Sequence, residues 1–266
     1  MFVFPSSSYQ ALKIVMSSRQ HSSACLGDIV LTADDVDTIA PRTWLNDQVI
    51  AFQLERLHRA IGSPADLLIL EPSLSFTASM VPDSASLGAM LSVPRHKGGS
   101  TLADELAAAA LVLIPVNNNT DADEAGGGSH WSLLVYRRRT GPDSSGPSRF
   151  EHYDSCGNAN GAFAKDVALK LIPLLQPADR GPTLKLVGMT IPQQTNGFDC
   201  GVHALCIAEE LVGVHASSGS PEAVSDAAKR VTPEWVKARR ESLHKELSEC
   251  VATGSEFSMC AKSVRT

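Results

Sequence analysis

Cysteine is scarce in this chain of 266 residues, and its scarcity excludes a fold held together by disulfide bonds. The 6 cysteines are scattered, and no pair stands at the C-x-x-C spacing of a structural zinc site. The pattern therefore predicts no metal site. Because no secretory apolar segment opens the sequence, we expect reduced thiols and a cytoplasmic or nuclear location. A lone thiol can stay reactive in such a compartment.

The chain also lacks an excess of positive charge and any long apolar run. The formal net charge is -6, which is poorly suited to nucleic-acid binding but compatible with a partner that offers a basic face. No apolar run approaches the ~20 residues of a membrane-spanning helix, so we expect no membrane contact. Hydrophobic residues still make up 43% of the chain, which is enough for the core of one globular domain.

Composition also suggests where that domain begins and ends. Residues 1–27 contain no acidic residue and are rich in serine, which favours a disordered tail over an organellar transit peptide. We expect one folded domain over residues 28–250 and a flexible tail over residues 251–266. The chain shows no internal repeat.

The hydrophobic periodicity predicts short strands mixed with helices, an α+β arrangement. Strands are predicted at 28–32, 67–70, 111–116, 130–136, 149–154 and 184–187. Helices are predicted at 33–39, 45–57, 162–175 (kinked or cut short at Pro173), from Cys200 onward and over 222–249, with Thr232 as N-cap and Pro233 at the first position. Residues 101–110 fit either a helix or a spacer loop, and 61–97 carry little readable pattern beyond one strand. The basic run 237–240 is interpreted as a solvated helix face.

One segment changes character at Cys200. Before it, Q-Q-T-N-G at 193–197 is turn-forming, and after it the apolar residues fall at helical spacing. With Asp199 as N-cap, Cys200 would occupy the first helical position, where the positive end of the helix dipole favours a thiolate. The alternative is that Cys200 is an inert, buried small hydrophobe, so the hypothesis of a nucleophile needs a base, an acid and an oxyanion donor elsewhere.

Candidates for these three roles lie upstream of Cys200. His130 opens a predicted strand directly after a glycine-rich loop, and Asp154 ends the strand expected to pair with it, so the two could hydrogen-bond. His152 is a rival base on the same strand as Asp154. The amide of Gln194, just before the turn, could donate to an oxyanion above the thiol, alongside the backbone N–H of Cys200.

Four motifs together resemble the sentrin-specific (Ulp-type) ubiquitin-like protein proteases. They are W-L-N-D at 44–47, H-W-S-L-L-V-Y at 130–136, H-Y-D-S at 152–155 and Q-T-N-G-F-D-C-G at 194–201. The resemblance implies a papain-like cysteine protease fold of the Ulp/adenain type, with a small mixed sheet and flanking helices. It assigns catalytic roles to the following residues: His130, Asp154, Cys200 and, for the oxyanion hole, Gln194.

The same resemblance implies a substrate and how it is bound. A tunnel for the C-terminal Gly-Gly of a ubiquitin-like modifier would be walled by Trp44 and Trp131, with Asp47 among the substrate-binding residues. Only glycine lacks a side chain that would clash between two indole rings. No cofactor is implied, and a monomer is expected.

The choice of modifier rests on the loop before His130. Its sequence, N-N-N-T-D-A-D-E-A-G-G-G-S at 117–129, is similar to that of the deneddylase branch (sentrin-specific protease 8-like), which implies processing and deconjugation of the neddylation modifier. A SUMO-specific protease is the alternative within the class. From other classes, an acetyltransferase of the bacterial-effector type or a catalytically inactive modifier-binding module would also fit such a site.

Overall fold

A mixed five-stranded sheet forms the centre of the computed structural model, which describes residues 23–94, 99–124, 127–138, 148–176, 184–217 and 221–254. The strands are β1 (Ser23–Leu26), β2 (Ile29–Thr32), β3 (Leu67–Ile69), β4 (Leu111–Asn117), β5 (Trp131–Arg137), β6 (Arg149–Tyr153) and β7 (Leu186–Gly188). The sheet has the order β3–β4–β5–β6–β7, and β1 and β2 form a separate hairpin. The central pairs β4–β5 and β5–β6 are antiparallel, whereas β3 and β7 add at the two edges in parallel.

Helices cover both faces of this sheet. They are α1 (Ala33–Asp37), α2 (Asp47–Ala60), α3 (Pro72–Met80), α4 (Ser84–Leu91), α5 (Leu102–Ala108), α6 (Gly161–Leu175), α7 (Cys200–Ala216), α8 (Pro221–Lys229) and α9 (Pro233–Thr253). The α+β class predicted from the sequence is confirmed. Within the described ranges, no helix is both long and apolar enough to cross a bilayer.

The sheet separates two hydrophobic cores, and strand alternation decides which residue joins which core. On one face, the β1–β2 hairpin, α2, α7 and α9 enclose Leu111 and Leu113 of β4. On the other face, α3 to α6 enclose Val112 and Ile114 of the same strand. A strand buried on both sides must be apolar throughout, which explains the continuous hydrophobic run of β4.

Side-chain caps fix where several helices begin, because they satisfy N–H groups that the first helical turn leaves unpaired. Thr32 and Asp35 form a reciprocal capping box at α1. The Asn46 side chain accepts from the Val49 N–H at α2, which sets the direction of the segment that carries Trp44. The predicted Thr232 cap of α9 is confirmed, since its side chain accepts from the Trp235 N–H.

Some boundaries differ from the prediction. The folded domain includes Ser23–Leu26, whose residue Ala24 is fully buried, so the predicted start at 28 is too late. At the other end α9 continues to Thr253, past the predicted end at 250, and stops at Gly254 with a left-handed φ of 59°. The remainder of both predicted tails, residues 1–22 and 255–266, lies outside the described residues.

The poorly readable region holds α3 and α4, which the sequence did not predict. More than half of the residues in each helix are small, serine foremost, so their periodicity is faint. Tertiary contacts stabilise them instead: Ser75 hydrogen-bonds the carbonyl of Pro115, and a Cβ on Gly88 would lie 3.3 Å from Leu174. In α6, Pro173 lies inside the helix, which continues to Leu175.

Candidate active site

Cys200 is the first residue of α7, the position predicted for a nucleophile, and it is buried. The helix begins there in close contact with the segment before α2. A Cβ on Gly201 would lie 3.1 Å from the Cβ of Leu45, so glycine is what allows this approach. Cys200 therefore lies directly beside the Trp44–Leu45 segment.

Asp199 precedes Cys200 as predicted, but its side chain does not serve as the predicted N-cap. Its Oδ1 accepts a 2.6 Å hydrogen bond from Arg240 Nε, and its Oδ2 accepts one of 2.7 Å from Asn196 Nδ2. Both carboxylate oxygens are thereby directed away from the N–H groups that open α7. The interpretation of run 237–240 as a solvated face is wrong for Arg240, which is 5% exposed.

His130 and Asp154 are joined at the ends of neighbouring strands. His130 Nε2 lies 2.6 Å from Asp154 Oδ1, the contact expected because His130 directly precedes β5 and Asp154 directly follows β6. Asp154 also accepts hydrogen bonds from the backbone N–H groups of Cys156 and Asn160. Burial alone would raise the pKa of Asp154, but these donors, His130 foremost, lower it to about 2.

His130 is held as an imidazolium. Burial would lower its pKa, yet hydrogen bonds and charge interactions with Asp154 and Cys200 outweigh burial and raise the pKa to about 10. Because Nε2 is bonded to Asp154, Nδ1 is the nitrogen left for the Cys200 sulfur. A protonated ring between a carboxylate and a thiol can stabilise a thiolate and later donate a proton.

His152, the rival base, is placed differently. Its Nε2 lies 3.0 Å from Ser132 Oγ in the interior, and burial is the main cause of its lowered pKa. Ser132 also accepts from Asn160, a fully buried residue that the sequence analysis did not identify. The Asn160 side chain donates to the carbonyls of Val116 and His130, while its backbone N–H donates to Asp154. Asn160 thus connects the candidate base with the candidate acid. Its position just before α6 is the one feature of the sequence that could have pointed to it.

Gln194 lies in the turn that leads to Cys200. Its Oε1 accepts from Ser155 Oγ at 2.8 Å, and its Nε2 donates to the Asn196 carbonyl at 2.6 Å. These two bonds orient the amide within the turn. The amide nitrogen carries a second hydrogen, which is the one that could reach an oxyanion.

The two tryptophans of the predicted tunnel meet at the segment before α2. Trp44 is 52% exposed, and its Nε1 donates to the Gly197 carbonyl at 2.6 Å. Trp131 is 7% exposed, and its Nε1 donates to the Leu45 carbonyl at 2.9 Å. One indole is thus tied to the nucleophile turn, and the other follows His130 directly. Asp47 is exposed at the start of α2, where its Oδ1 accepts from the Gln48 N–H.

The loop before His130 is organised by asparagine side chains. Asn118 Oδ1 accepts from the N–H groups of Ser129 and His130, at 2.7 and 3.0 Å, so it connects the two ends of the loop. Gly128 has a φ of 85°, and a Cβ there would collide with the Asn117 side chain. The loop acids Asp121, Asp123 and Glu124 are exposed. Within the described ranges, no group of three or more His, Cys, Asp or Glu side chains could hold a metal ion.

Comparisons with known proteins find one matching family and several similar chains and structures. Residues 43–247 match the Ulp1 protease family, C-terminal catalytic domain. The chain is 31% identical over 192 residues to a probable sentrin-specific protease 8 of Dictyostelium discoideum, covering 70% of this chain and 72% of that protein. It is also 31% identical over 192 residues to NEDD8-specific protease 1 of Arabidopsis thaliana, covering 72% and 76%. A crystal structure of a de-sumoylating protease shares the fold, with a TM-score of 0.58 at 16% identity over 88% and 90% of the two chains.

Proposed function

This chain belongs to the Ulp1 protease family and is a cysteine protease, and on that basis we propose that it cleaves after the C-terminal Gly-Gly of NEDD8. The observation that carries the proposal is the hydrogen-bonded His130–Asp154 pair, which interacts with a thiol at the start of a helix. Proteases of this family act on ubiquitin-like modifiers. The chain would act as a monomer on one modifier at a time.

The proposed reaction proceeds through a thioester. The Cys200 thiolate attacks the carbonyl carbon of the terminal glycine, and the carbonyl oxygen takes the negative charge. The backbone N–H of Cys200 and the Gln194 amide would hold that oxyanion. His130 gives its proton to the leaving amine, the C–N bond breaks, and the modifier remains on the sulfur. Water, deprotonated by His130, then attacks the thioester and releases the modifier acid and the thiolate.

Asp154 would keep His130 oriented in this cycle and stabilise its charged form whenever the ring holds the proton. With its pKa lowered to about 2, its carboxylate stays ionised at every pH at which the enzyme would work. Its bond to Nε2 fixes the ring so that Nδ1 faces Cys200. This division of roles is that of an orienting acid, a base and a nucleophile.

Two observations favour NEDD8 over SUMO. Relatives that match about 70% of this chain at 31% identity carry the names sentrin-specific protease 8 and NEDD8-specific protease 1. The exposed acids Asp121, Asp123 and Glu124 before His130 would attract a modifier tail that is basic next to its Gly-Gly. A SUMO protease, an acetyltransferase and an inactive modifier-binding module remain the alternatives for the test.

The test uses electrophilic probes built on the C termini of NEDD8, SUMO and ubiquitin, together with fluorogenic C-terminal amides of the same modifiers. We expect the NEDD8 probe to label Cys200 and the NEDD8 amide to be hydrolysed without acetyl-CoA. Cys200→Ala should abolish both reactions and keep NEDD8 binding. If only the SUMO probe labels Cys200, the substrate is SUMO and not NEDD8. If NEDD8 binds without labelling or turnover, the chain is an inactive modifier-binding module.

Two cysteine variants serve as matched controls. Burial raises the pKa of the Cys206 thiol, which lies deep in α7, and Cys156 is exposed beyond β6. Cys156→Ala and Cys206→Ala should therefore retain most of the activity as long as they fold. A loss in either control equal to that in Cys200→Ala would contradict the assignment of the nucleophile.

A further inference from the structure

Arg240 contacts the nucleophile turn although it lies 41 residues beyond Asp199 in the chain. Its Nε donates to Asp199 Oδ1 at 2.6 Å, and its Nη2 donates to the Phe198 carbonyl at 2.7 Å. Its Nη1 donates to the carbonyl of Ile39 at 3.0 Å. The guanidinium also lies over the Phe198 ring, 5.4 Å from its centroid. A single buried side chain thus holds the two residues before Cys200 against the segment that follows α1.

Stability alone is a weak explanation for this arrangement. Taking a carboxylate and a guanidinium out of water costs several kcal/mol, and well-packed apolar residues are often as stabilising as a buried ion pair. The pair lies one residue from the nucleophile. Its more specific consequence is electrostatic and concerns the first turn of α7.

An aspartate before a helix normally accepts from the N–H two or three positions into that helix. Asp199 does not do so in this structure, because Arg240 and Asn196 take its two oxygens and its backbone, at φ -88° and ψ 1°, is not extended. If Arg240 were absent, the Asp199 carboxylate would lose its counter-charge, and Oδ1 would be free to turn toward the N–H groups that open α7. A negative charge would then lie at the helix start, where it would oppose both a thiolate on Cys200 and an oxyanion beside it.

We propose that Arg240 is a positioning residue for the reaction, which keeps the Asp199 carboxylate off the first turn of α7 and leaves its N–H groups and positive dipole to the Cys200 thiolate and the substrate oxyanion. The inference rests on the proposed function for its link to turnover. It concerns the reactivity of the thiol itself, so it can also be measured without a modifier.

The matched pair of variants is Arg240→Met and Arg239→Met. Arg239 is the neighbouring arginine of α9, and it forms ion pairs with Glu209 and Glu246 rather than with the nucleophile turn. For the folded fraction of each variant, kcat and KM are measured on a NEDD8 C-terminal amide, and the rate of Cys200 alkylation is measured with iodoacetamide. Arg240→Met should lower kcat by about 10²-fold with KM nearly unchanged, which is the size of a misplaced reacting group. It should also slow alkylation, whereas Arg239→Met should change neither rate.

A rescue separates the charge effect from a loss of fold. Asp199→Asn combined with Arg240→Met removes the stray carboxylate, so it should recover alkylation and part of kcat relative to Arg240→Met. If Arg240→Met does not fold, Arg240→Lys is used, since it keeps the charge but lacks the planar fork and should lower kcat less. Wild-type alkylation and kcat in a folded Arg240 variant would overturn the proposal. A wild type that hydrolyses no modifier, but whose alkylation depends on Arg240, would refute the proposed substrate alone.

Discussion

The indole nitrogen of Trp44 donates a 2.6 Å hydrogen bond to the carbonyl oxygen of Gly197, three residues before Cys200. This bond joins the segment before α2 to the turn before α7, two parts of the chain that are remote in sequence. The indole N–H of Trp44 is occupied by this bond, yet the Trp44 side chain remains 52% exposed. Trp44 is thus held in one orientation and still open to an extended peptide.

Trp44→Ala should lower the efficiency with which the enzyme cleaves after a modifier's C-terminal tail. Losing an aromatic wall removes contact area and the bond that holds the Gly197 turn, so we expect kcat/KM for the NEDD8 amide to fall by at least about tenfold. Steady-state kinetics measures this. The control is Trp235→Ala, at another partly exposed tryptophan, at the start of α9. Equal losses in the two variants would mean that Trp44 has no special role.

Gln194→Ala tests the oxyanion hole. Loss of one such donor typically lowers kcat by about 10²–10³-fold, and KM should change little because the contact strengthens in the transition state. The matched control is Gln193→Ala; among the described residues its Nε2 donates to the carbonyls of Asp154 and Ile191, and its Oε1 accepts from the Gly157 N–H. Its effect should be much smaller, and an unchanged kcat in Gln194→Ala would reduce Gln194 to a residue that shapes the turn.

Asp154→Asn should change the titration of His130. The pKa of His130 is raised to about 10 by Asp154 and Cys200 against the effect of burial. Removing the carboxylate removes one of these causes, so the ring should lose its proton at a lower pH than in the wild type. An NMR titration of labelled histidine measures both values. Identical curves would show that another group keeps His130 charged.

His203→Phe should make the protein less sensitive to acid. His203 is 1% exposed in the first turn of α7, and among the described residues neither of its ring nitrogens has a hydrogen-bond partner. Burial lowers its pKa from 6.5 to about 4, so the unfolded state binds a proton more readily than the folded state. Stability is therefore full above pH ~6.5 and is lost as the pH falls toward ~4, by about 3 kcal/mol in total.

Urea unfolding of the wild type and of His203→Phe at pH 8 and pH 5 tests this effect. The free energy of unfolding of the variant should fall less between the two pH values than that of the wild type. Removing the buried ring nitrogens that lack partners should also raise stability at pH 8. Equal decreases in the two proteins would place the acid sensitivity elsewhere.

Replacing Asp121, Asp123 and Glu124 together by alanine tests the choice of modifier. These exposed acids should raise the association rate of a basic tail, so the wild type should cleave NEDD8 derivatives faster than SUMO derivatives, with a preference that shrinks as salt rises. The triple variant should lose much of that preference. The measurement is kcat/KM for both substrates at two ionic strengths. An unchanged preference would locate selectivity on another surface.

The sequence was informative wherever the physical cause is local. Cys200 at the start of a helix could be predicted because turn residues give way to helical spacing at that point. The contact of His130 with Asp154 could be expected because both stand at the ends of neighbouring strands. The four motifs supplied the fold class and the family. The apolar run of β4 likewise indicated a strand buried on both faces.

Only the tertiary structure decided the features that depend on distant partners. Asp199 has the right type and position for an N-cap, but a buried arginine from α9 takes its carboxylate, and nothing in the sequence of run 237–240 marks Arg240 as the buried member. Asn160 and Trp44 acquire their roles from carbonyl groups on other elements. Helices α3 and α4 form because packing against the sheet and α6 compensates for weak local preference. Periodicity reports which face of an element is apolar, whereas a hydrogen bond between remote segments exists only once the whole chain has packed.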